Sequence, residues 1–416
     1  MMNRIAATYY IETALDPHQA AAVLAGEQSS GTFVAVPGET EALKHQYAAR
    51  VEEVTILQDV DQPSLPGDPG GKGPYNRAMV RVSWSLDNFG YNIPELISTV
   101  QGNLYELRQF TGLRLMDLEF PDEFVSHYRG PAHGIEGCRK LTDVWDRPLM
   151  GTIIKPSVGL TPDQTADLVA QLAFAGIDFI KDDELLSSSS NSPFELRLQK
   201  VMEVINRHFQ ETGKKIMYAA NISGEMDEMM SRYEMIVNLG GTCAMINVNS
   251  VGIAATKKIC DNGELAIHAH RNGWGMLTRH PSLGMDFRAY QKIWRLVGVD
   301  QLHVNGIQNK FWESDDSVVS SIGAMMQKLG KQLDPIPVVS SGQWGGQAFE
   351  TWRRTETTDL LYMAGGGILA HPMGPQAGVK ALKQAWDAAV DGLTIQEAID
   401  EFPEFAASAQ KFQNNK

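Results

Sequence analysis

From Leu149 onward the chain repeats one pattern. A short, nearly continuous apolar run is followed by a longer stretch in which apolar residues recur every three or four positions. The runs read LMGTIIKP, GIDFIKDDE, KIMYAANIS, CAMINVN, LAIHAHR, DQLHVNG, IPVVSSG and LLYMAGGG. Apolar runs alternating with amphipathic helices predict parallel strands buried on both faces, and eight of them predict a (β/α)8 TIM barrel. A doubly wound open sheet is the competing architecture. The first crossover helix carries its own punctuation: Thr161 as N-cap, Pro162 at the first helical position, Gln164 as capping-box partner and Gly176 past the end.

The part before the barrel has a different rhythm. RIAATYYIE, PHQAAAVLAGEQ, YAARVEEVTIL, NRAMVRVSWSL, NIPELISTVQGNLYEL and GLRLMDLEF alternate strand-like and helix-like patterning, which predicts a smaller α+β, ferredoxin-like domain. The Pro- and Gly-rich segment DQPSLPGDPGGKGPYN (61–76) predicts an exposed loop between two strands. The pattern changes between about 125 and 145, giving an N-terminal domain over 1–130 and a barrel domain over 145–416.

Composition narrows the function classes. The 416 residues carry a formal charge of -14 with no basic block, which argues against a nucleic-acid partner. No run of eighteen apolar residues or signal-like leader is present, so a soluble cytoplasmic protein without a membrane partner is expected. Cys138, Cys243 and Cys260 lack metal or redox spacing and read as reduced packing thiols.

The polar residues collect at the ends of the barrel runs, where barrel enzymes keep their chemistry. In IKDDE, alternation points Lys181 and Asp183 one way and Asp182 the other, with Glu184 free to turn back. Two carboxylates suit Mg²⁺, and a buried lysine that has lost its proton could add CO₂ to supply a third oxygen ligand. The alternative is an ion-paired strand end without metal. His268 and His270 share a face, with Arg271 beginning the next loop; they read either as a site with an anion-binding arginine or as core histidines beside a surface arginine. His303 is open in the same way. Lys310 either swings over a substrate or is simply exposed. Lys155 is an acid/base candidate or an exposed lysine opening a loop. Ser340, Ser341 and Gly365 to Gly367 lie at two neighbouring run ends, where bare backbone N–H groups would cradle phosphate or make tight turns.

Assembled, these residues resemble the large subunit of ribulose-bisphosphate carboxylase and, more closely, the RuBisCO-like (form IV) proteins, over nearly the whole chain. The resemblance implies that Lys181 is a carbamylated lysine holding Mg²⁺ with Asp183 and Glu184, and that Lys155 handles protons during enolisation. It makes Lys155, Lys181, His270 and Lys310 the catalytic set. Arg271, His303, Ser340, Gly365 and Gly366 become substrate and phosphate contacts. GEQSSGTF and VQGNLYEL carry over Glu27, Thr32, Phe33 and Asn103, which in this family complete the neighbouring subunit's active site, so a homodimer or larger homo-oligomer is implied. Departures stand beside the matches: Ser157 replaces a lysine in KPS, Trp274 a histidine, Phe33 a tryptophan, and QNKFWE differs from the glycine-rich closing loop. The expected activity is formation of an enediolate from a phosphorylated keto sugar or oxo sugar acid, with decarboxylation or C–C cleavage, as for 3-oxo-isoapionate 4-phosphate. The alternatives are a 2,3-diketo-5-methylthiopentyl-1-phosphate enolase or methylthioribulose-phosphate isomerase of methionine salvage, a ribulose-1,5-bisphosphate carboxylase, and a non-catalytic sugar-phosphate-binding protein.

Overall fold

The computed structural model describes residues 4–31, 36–67 and 72–413. In chain order its strands are β1 (Arg4–Thr13), β2 (Arg50–Ile56), β3 (Asn76–Ser85), β4 (Phe110–Glu119), β5 (Leu149–Ile153), β6 (Phe179–Lys181), β7 (Met217–Asn221), β8 (Cys243–Asn247), β9 (Ala266–His270), β10 (Leu283–Met285), β11 (Gln301–His303), β12 (Ile336–Val339) and β13 (Leu361–Met363). The chain forms two compact units. One takes in 1–129, 273–296 and 328–332; the other holds 130–272, 297–327 and 333–416.

In the first unit the sheet order is β10-β4-β1-β3-β2, with β1 antiparallel to both β3 and β4. The order β4-β1-β3-β2 with a helix after β1 and another after β3 is the ferredoxin-like arrangement expected from the sequence. Helix Pro17–Glu27 is capped by Asp16, whose side chain accepts from the His18 and Gln19 N–H groups, and it buries the small face Ala20, Ala21, Leu24 and Ala25. Helix Ile93–Val100 buries Ile93, Leu96 and Val100. Tyr9 donates to Val100 O at 2.6 Å and Trp84 Nε1 to Gln28 O at 3.0 Å, tying both helix ends to the ring-contacting pair Tyr9 and Trp84 on one face of the sheet. Two features went unread in the sequence: the short helix Glu41–Tyr47, and β10, which pairs in parallel with β4.

In the second unit eight parallel strands close in the order β11-β12-β13-β5-β6-β7-β8-β9. All eight apolar runs supply one strand each, and the open doubly wound sheet is excluded by closure between β9 and β11. Leu149, Phe179, Met217, Met245, Ile336, Val338 and Leu361 share one buried cluster. Gly151 belongs there for lack of space, since a Cβ would stand 2.4 Å from Met363 Sδ. Helix Pro162–Phe174 begins with the Thr161–Gln164 capping box, and Gly176 takes a φ of +76° after its end. Cys138, Cys243 and Cys260 are buried free thiols. Among the described residues no helix is long and apolar enough to cross a membrane.

Candidate active site

The C-terminal ends of the barrel strands gather the candidate residues. Lys181, the last residue of β6, is 1% exposed, and its Nζ donates to Asp182 O at 2.8 Å and lies 3.4 Å from Met245 Sδ. Burial pulls its pKa down, against the nearby carboxylates of Glu184 and Asp183. Burial therefore disfavours the charged form of this side chain relative to an exposed lysine.

Asp182 faces the other way. Its carboxylate accepts from Tyr218 Oη at 2.5 Å, Asn221 N at 3.0 Å and Arg197 Nη2 at 3.1 Å. Asp183 returns to the mouth: Lys155 Nζ donates to its Oδ2 at 2.5 Å and Leu185 N to its Oδ1 at 3.1 Å. Burial alone would raise the Asp183 pKa, but the Lys155 ammonium and these donors outweigh it and hold the carboxyl below its usual range. Glu184 is partly exposed, with Oε2 3.7 Å from Lys181 Nζ and 3.6 Å from His270 Nε2. Ser157 Oγ accepts from Lys155 Nζ at 2.8 Å.

The histidines form a neutral relay. Gln301 Nε2 contacts the sulfurs of Cys138 and Met217, so its Oε1 is the acceptor for His268 Nδ1 at 2.7 Å. His268 Nε2 then accepts from His303 Nε2 at 2.9 Å, and His303 Nδ1 accepts from Ser340 Oγ at 2.9 Å. Burial pushes the His268 pKa down to about 3 and that of His303 well below 6.5, so both rings stay neutral. Both ring nitrogens of His303 are thus engaged inside the protein. His270 is different: its Nδ1 is buried with no hydrogen-bond partner, and burial also depresses its pKa. On the adjacent strand Asn247, paired in register with His270, donates from Nδ2 to Glu184 O at 2.8 Å, and its Oδ1 likewise lacks a partner. Sequence reasoning passed over Asn247, although the rule that selected the other strand-end residues selects it too.

Arg271 is 6% exposed and donates to Glu313 Oε2 at 3.1 Å. Lys310 is exposed; its backbone N–H donates to Ser341 O at 3.1 Å, and its Nζ lies over the Phe311 ring. Gly365 precedes the short helix Gly366–Leu369 after β13. A Cβ at Gly366 would meet nothing within 4 Å, whereas one at Gly367 would stand 2.5 Å from Gln343 O. The open glycine backbone is therefore Gly365–Gly366, while Gly367 serves packing. In the first unit Glu27 and Asn103 are both exposed, and a Cβ on Gly102 would run into the Gln28 side chain, so the two lie at one place on that unit. Thr32 and Phe33 fall outside the described residues. Trp274 packs at 4.4 Å on Tyr290 and edge-on to Phe287, in an aromatic cluster. Among the described residues no group of three or more His, Cys, Asp and Glu is placed to hold a metal ion.

The chain matches the ribulose bisphosphate carboxylase large-chain catalytic domain over residues 134–412 and the N-terminal domain of the same large chain over 2–124. It belongs to the RuBisCO large-chain family. Among curated RuBisCO relatives, it is 46% identical to a 3-oxo-isoapionate-4-phosphate decarboxylase of Rhizobium rhizogenes, over 99% of each chain. It is 48% identical to a 3-oxo-isoapionate-4-phosphate transcarboxylase/hydrolase of Xanthobacter autotrophicus, over 97% of this chain and 98% of that one. A solved rubisco-like protein from Burkholderia fungorum superposes with a TM-score of 0.93 at 41% identity, covering 99% of this chain and 100% of that one.

Proposed function

We propose that the protein is a Mg²⁺-dependent, cytoplasmic RuBisCO-like enzyme that breaks the bond to the carboxyl carbon of a phosphorylated 3-oxo sugar acid of the 3-oxo-isoapionate 4-phosphate type. The observation that carries this is end-to-end identity of 46% and 48% to two enzymes named for that compound. The barrel mouth supplies chemistry to match. A 3-oxo acid carries its carboxylate β to a ketone. When the C1–C2 bond breaks, CO₂ departs and the electron pair enters a C2–C3 enolate that a proton must then quench.

Lys155 is the residue to deliver that proton. Its Nζ is held at 2.5 Å by Asp183 and at 2.8 Å by Ser157, so its position is fixed by an anion and a neutral acceptor. Burial favours the neutral form of the Lys181 amine, which would add CO₂ through nitrogen to give a carbamate, an N–C bond forming as a C=O π bond opens and the nitrogen gives up a proton. That carbamate with Asp183 and Glu184 would hold Mg²⁺, which supplies positive charge opposite the negative charge developing on the substrate oxygens. The donor set fits: two carboxylates alone are too few, and the third oxygen ligand comes from the one buried amine between them. Asn247 Oδ1, an acceptor, and His270 Nδ1, a donor or acceptor according to tautomer, both lack partners and orient substrate hydroxyls, and the Gly365–Gly366 backbone takes the phosphate. Glu27 and Asn103, exposed together on the first unit, complete the site of a second copy in a homodimer.

The test is incubation with 3-oxo-isoapionate 4-phosphate, Mg²⁺ and bicarbonate in D₂O, followed by ¹³C and ¹H NMR. Loss of the 3-oxo acid with deuterium at the former C2 is expected; unchanged substrate at high enzyme concentration would refute the reading.

A further inference from the structure

A sugar phosphate pocket with two phosphate positions needs two sets of uncommitted donors. One set stands open here, at Gly365–Gly366. At the ends of β9 and β11 the two side chains of anion-binding type both meet protein partners. Arg271, 6% exposed, gives Nη2 to Glu313 Oε2 at 3.1 Å, and His303 spends one ring nitrogen on His268 and the other on Ser340.

Glu313 is itself fixed. It is 6% exposed; its Oε2 also accepts from Asn305 Nδ2, and its Oε1 accepts from Ser317 Oγ at 2.8 Å. Asn305 is held in turn, its Oδ1 accepting from Ser341 Oγ at 2.8 Å. The loop that carries Glu313 is tied down along its length: Asn309 Nδ2 donates to Gly306 O at 2.9 Å and to Glu313 O at 3.1 Å, and Lys310 N donates to Ser341 O at 3.1 Å. The carboxylate is therefore a built part of the barrel mouth.

We infer that Glu313 is a specificity-determining residue: it neutralises Arg271 and closes the barrel mouth to a second phosphate group, so the enzyme selects sugar monophosphates over bisphosphates. The physical reason is charge. A phosphate dianion brought to Arg271 would arrive beside a buried carboxylate that already owns the guanidinium, and like charges a few ångströms apart in a poorly solvated site repel strongly. Rejection by a paired cation discriminates more sharply than an empty pocket does, because the wrong ligand has to compete for Arg271 with a carboxylate that Asn305 and Ser317 hold in place. The inference rests on the reading of the barrel mouth as a phosphosugar site, and it concerns binding alone.

It is tested by calorimetric titration of ribulose 1,5-bisphosphate and ribulose 5-phosphate into the intact protein with Mg²⁺ and bicarbonate. Wild type binds the monophosphate more tightly. Glu313→Gln keeps the shape, its amide oxygen accepting from Asn305 and its Nε2 donating to Ser317 Oγ, but frees the charge of Arg271, and it should tighten the bisphosphate by about tenfold or more while moving the monophosphate less than about threefold. Glu313→Asp, which keeps the charge, should hold the wild-type preference. Equal affinity of wild type for the two sugars, or an unchanged ratio in Glu313→Gln, overturns the proposal. So does parallel weakening of both ligands, which would make Glu313 a structural residue only. Turnover of the 3-oxo acid decides the proposed reaction separately, since these ligands are read by heat of binding.

Discussion

Replacing Arg197 by Met tests whether the barrel wall behind the site fixes its chemistry. Asp182 is fully buried, and Arg197, from the helix Phe194–Thr212, is 1% exposed. The guanidinium reaches Asp182 Oδ2 at 3.1 Å and also donates to Ser187 O at 2.7 Å and Ser192 O at 2.8 Å. Methionine keeps most of the aliphatic volume but leaves the carboxylate with only the neutral donors Tyr218 Oη and Asn221 N. Breaking one side of a buried pair costs about 3–5 kcal/mol, most of it the penalty of the stranded charge. Asp182→Asn in the same background removes that charge, so the double variant should recover about 1–3 kcal/mol relative to the sum of the singles. Urea unfolding followed by far-UV circular dichroism gives the values from midpoints and slopes. Activity should fall as well, because Lys181 Nζ donates to the Asp182 carbonyl at 2.8 Å and any backbone shift there moves the amine. A loss below about 1 kcal/mol in Arg197→Met, or strict additivity in the double variant, would show that water reaches Asp182 and that the wall does not act as argued.

Acid should weaken the fold before its carboxylates titrate. His268 is held to a pKa of about 3 and His270 and His303 well below 6.5, all by burial first, so below the unfolded value the denatured chain takes up protons that the native rings refuse. Stability is then lost as pH falls from about 6.5, at about 1.4 kcal/mol per pH unit for each ring. Urea midpoints that stay flat between pH 6 and 4.5 would contradict the neutral relay. Lys155→Met removes the ammonium that Asp183 holds, and deuterium delivery to the product carbon should slow by about 10²–10⁴; retention of half the wild-type rate would exclude Lys155 as proton donor.

Much of the barrel was legible because its strands are read from local pattern. An apolar run flanked by helical periodicity needs no partner to be recognised, and alternation alone set Asp182 opposite to Lys181, as its contacts with Tyr218 and Arg197 show. Glu41–Tyr47 was illegible for the converse reason: it buries no residue and so leaves no stripe, and only Thr40, capping Leu43 N, marks it. β10 has three residues, too few to show a period, and its place depends on β4, some 170 residues earlier in the chain.

The harder limit lies in the site, where residue type predicts what a side chain can do but not whether it is free to do it. Arg271 reads as an anion binder from chemistry alone, and the fold adds what chemistry alone does not show, that Glu313, 42 positions on, shares its guanidinium. His303 reads as a substrate contact until barrel closure brings His268 from β9 and Ser340 from the end of β12 to its two nitrogens. Both commitments arise between strand ends that are remote in sequence and adjacent in a closed sheet. A strand-end residue is therefore best weighed by the donors and acceptors left over after its neighbours are satisfied. By that measure Asn247 and His270, each with a buried polar atom lacking a partner, join the strand-end residues with a claim on the substrate.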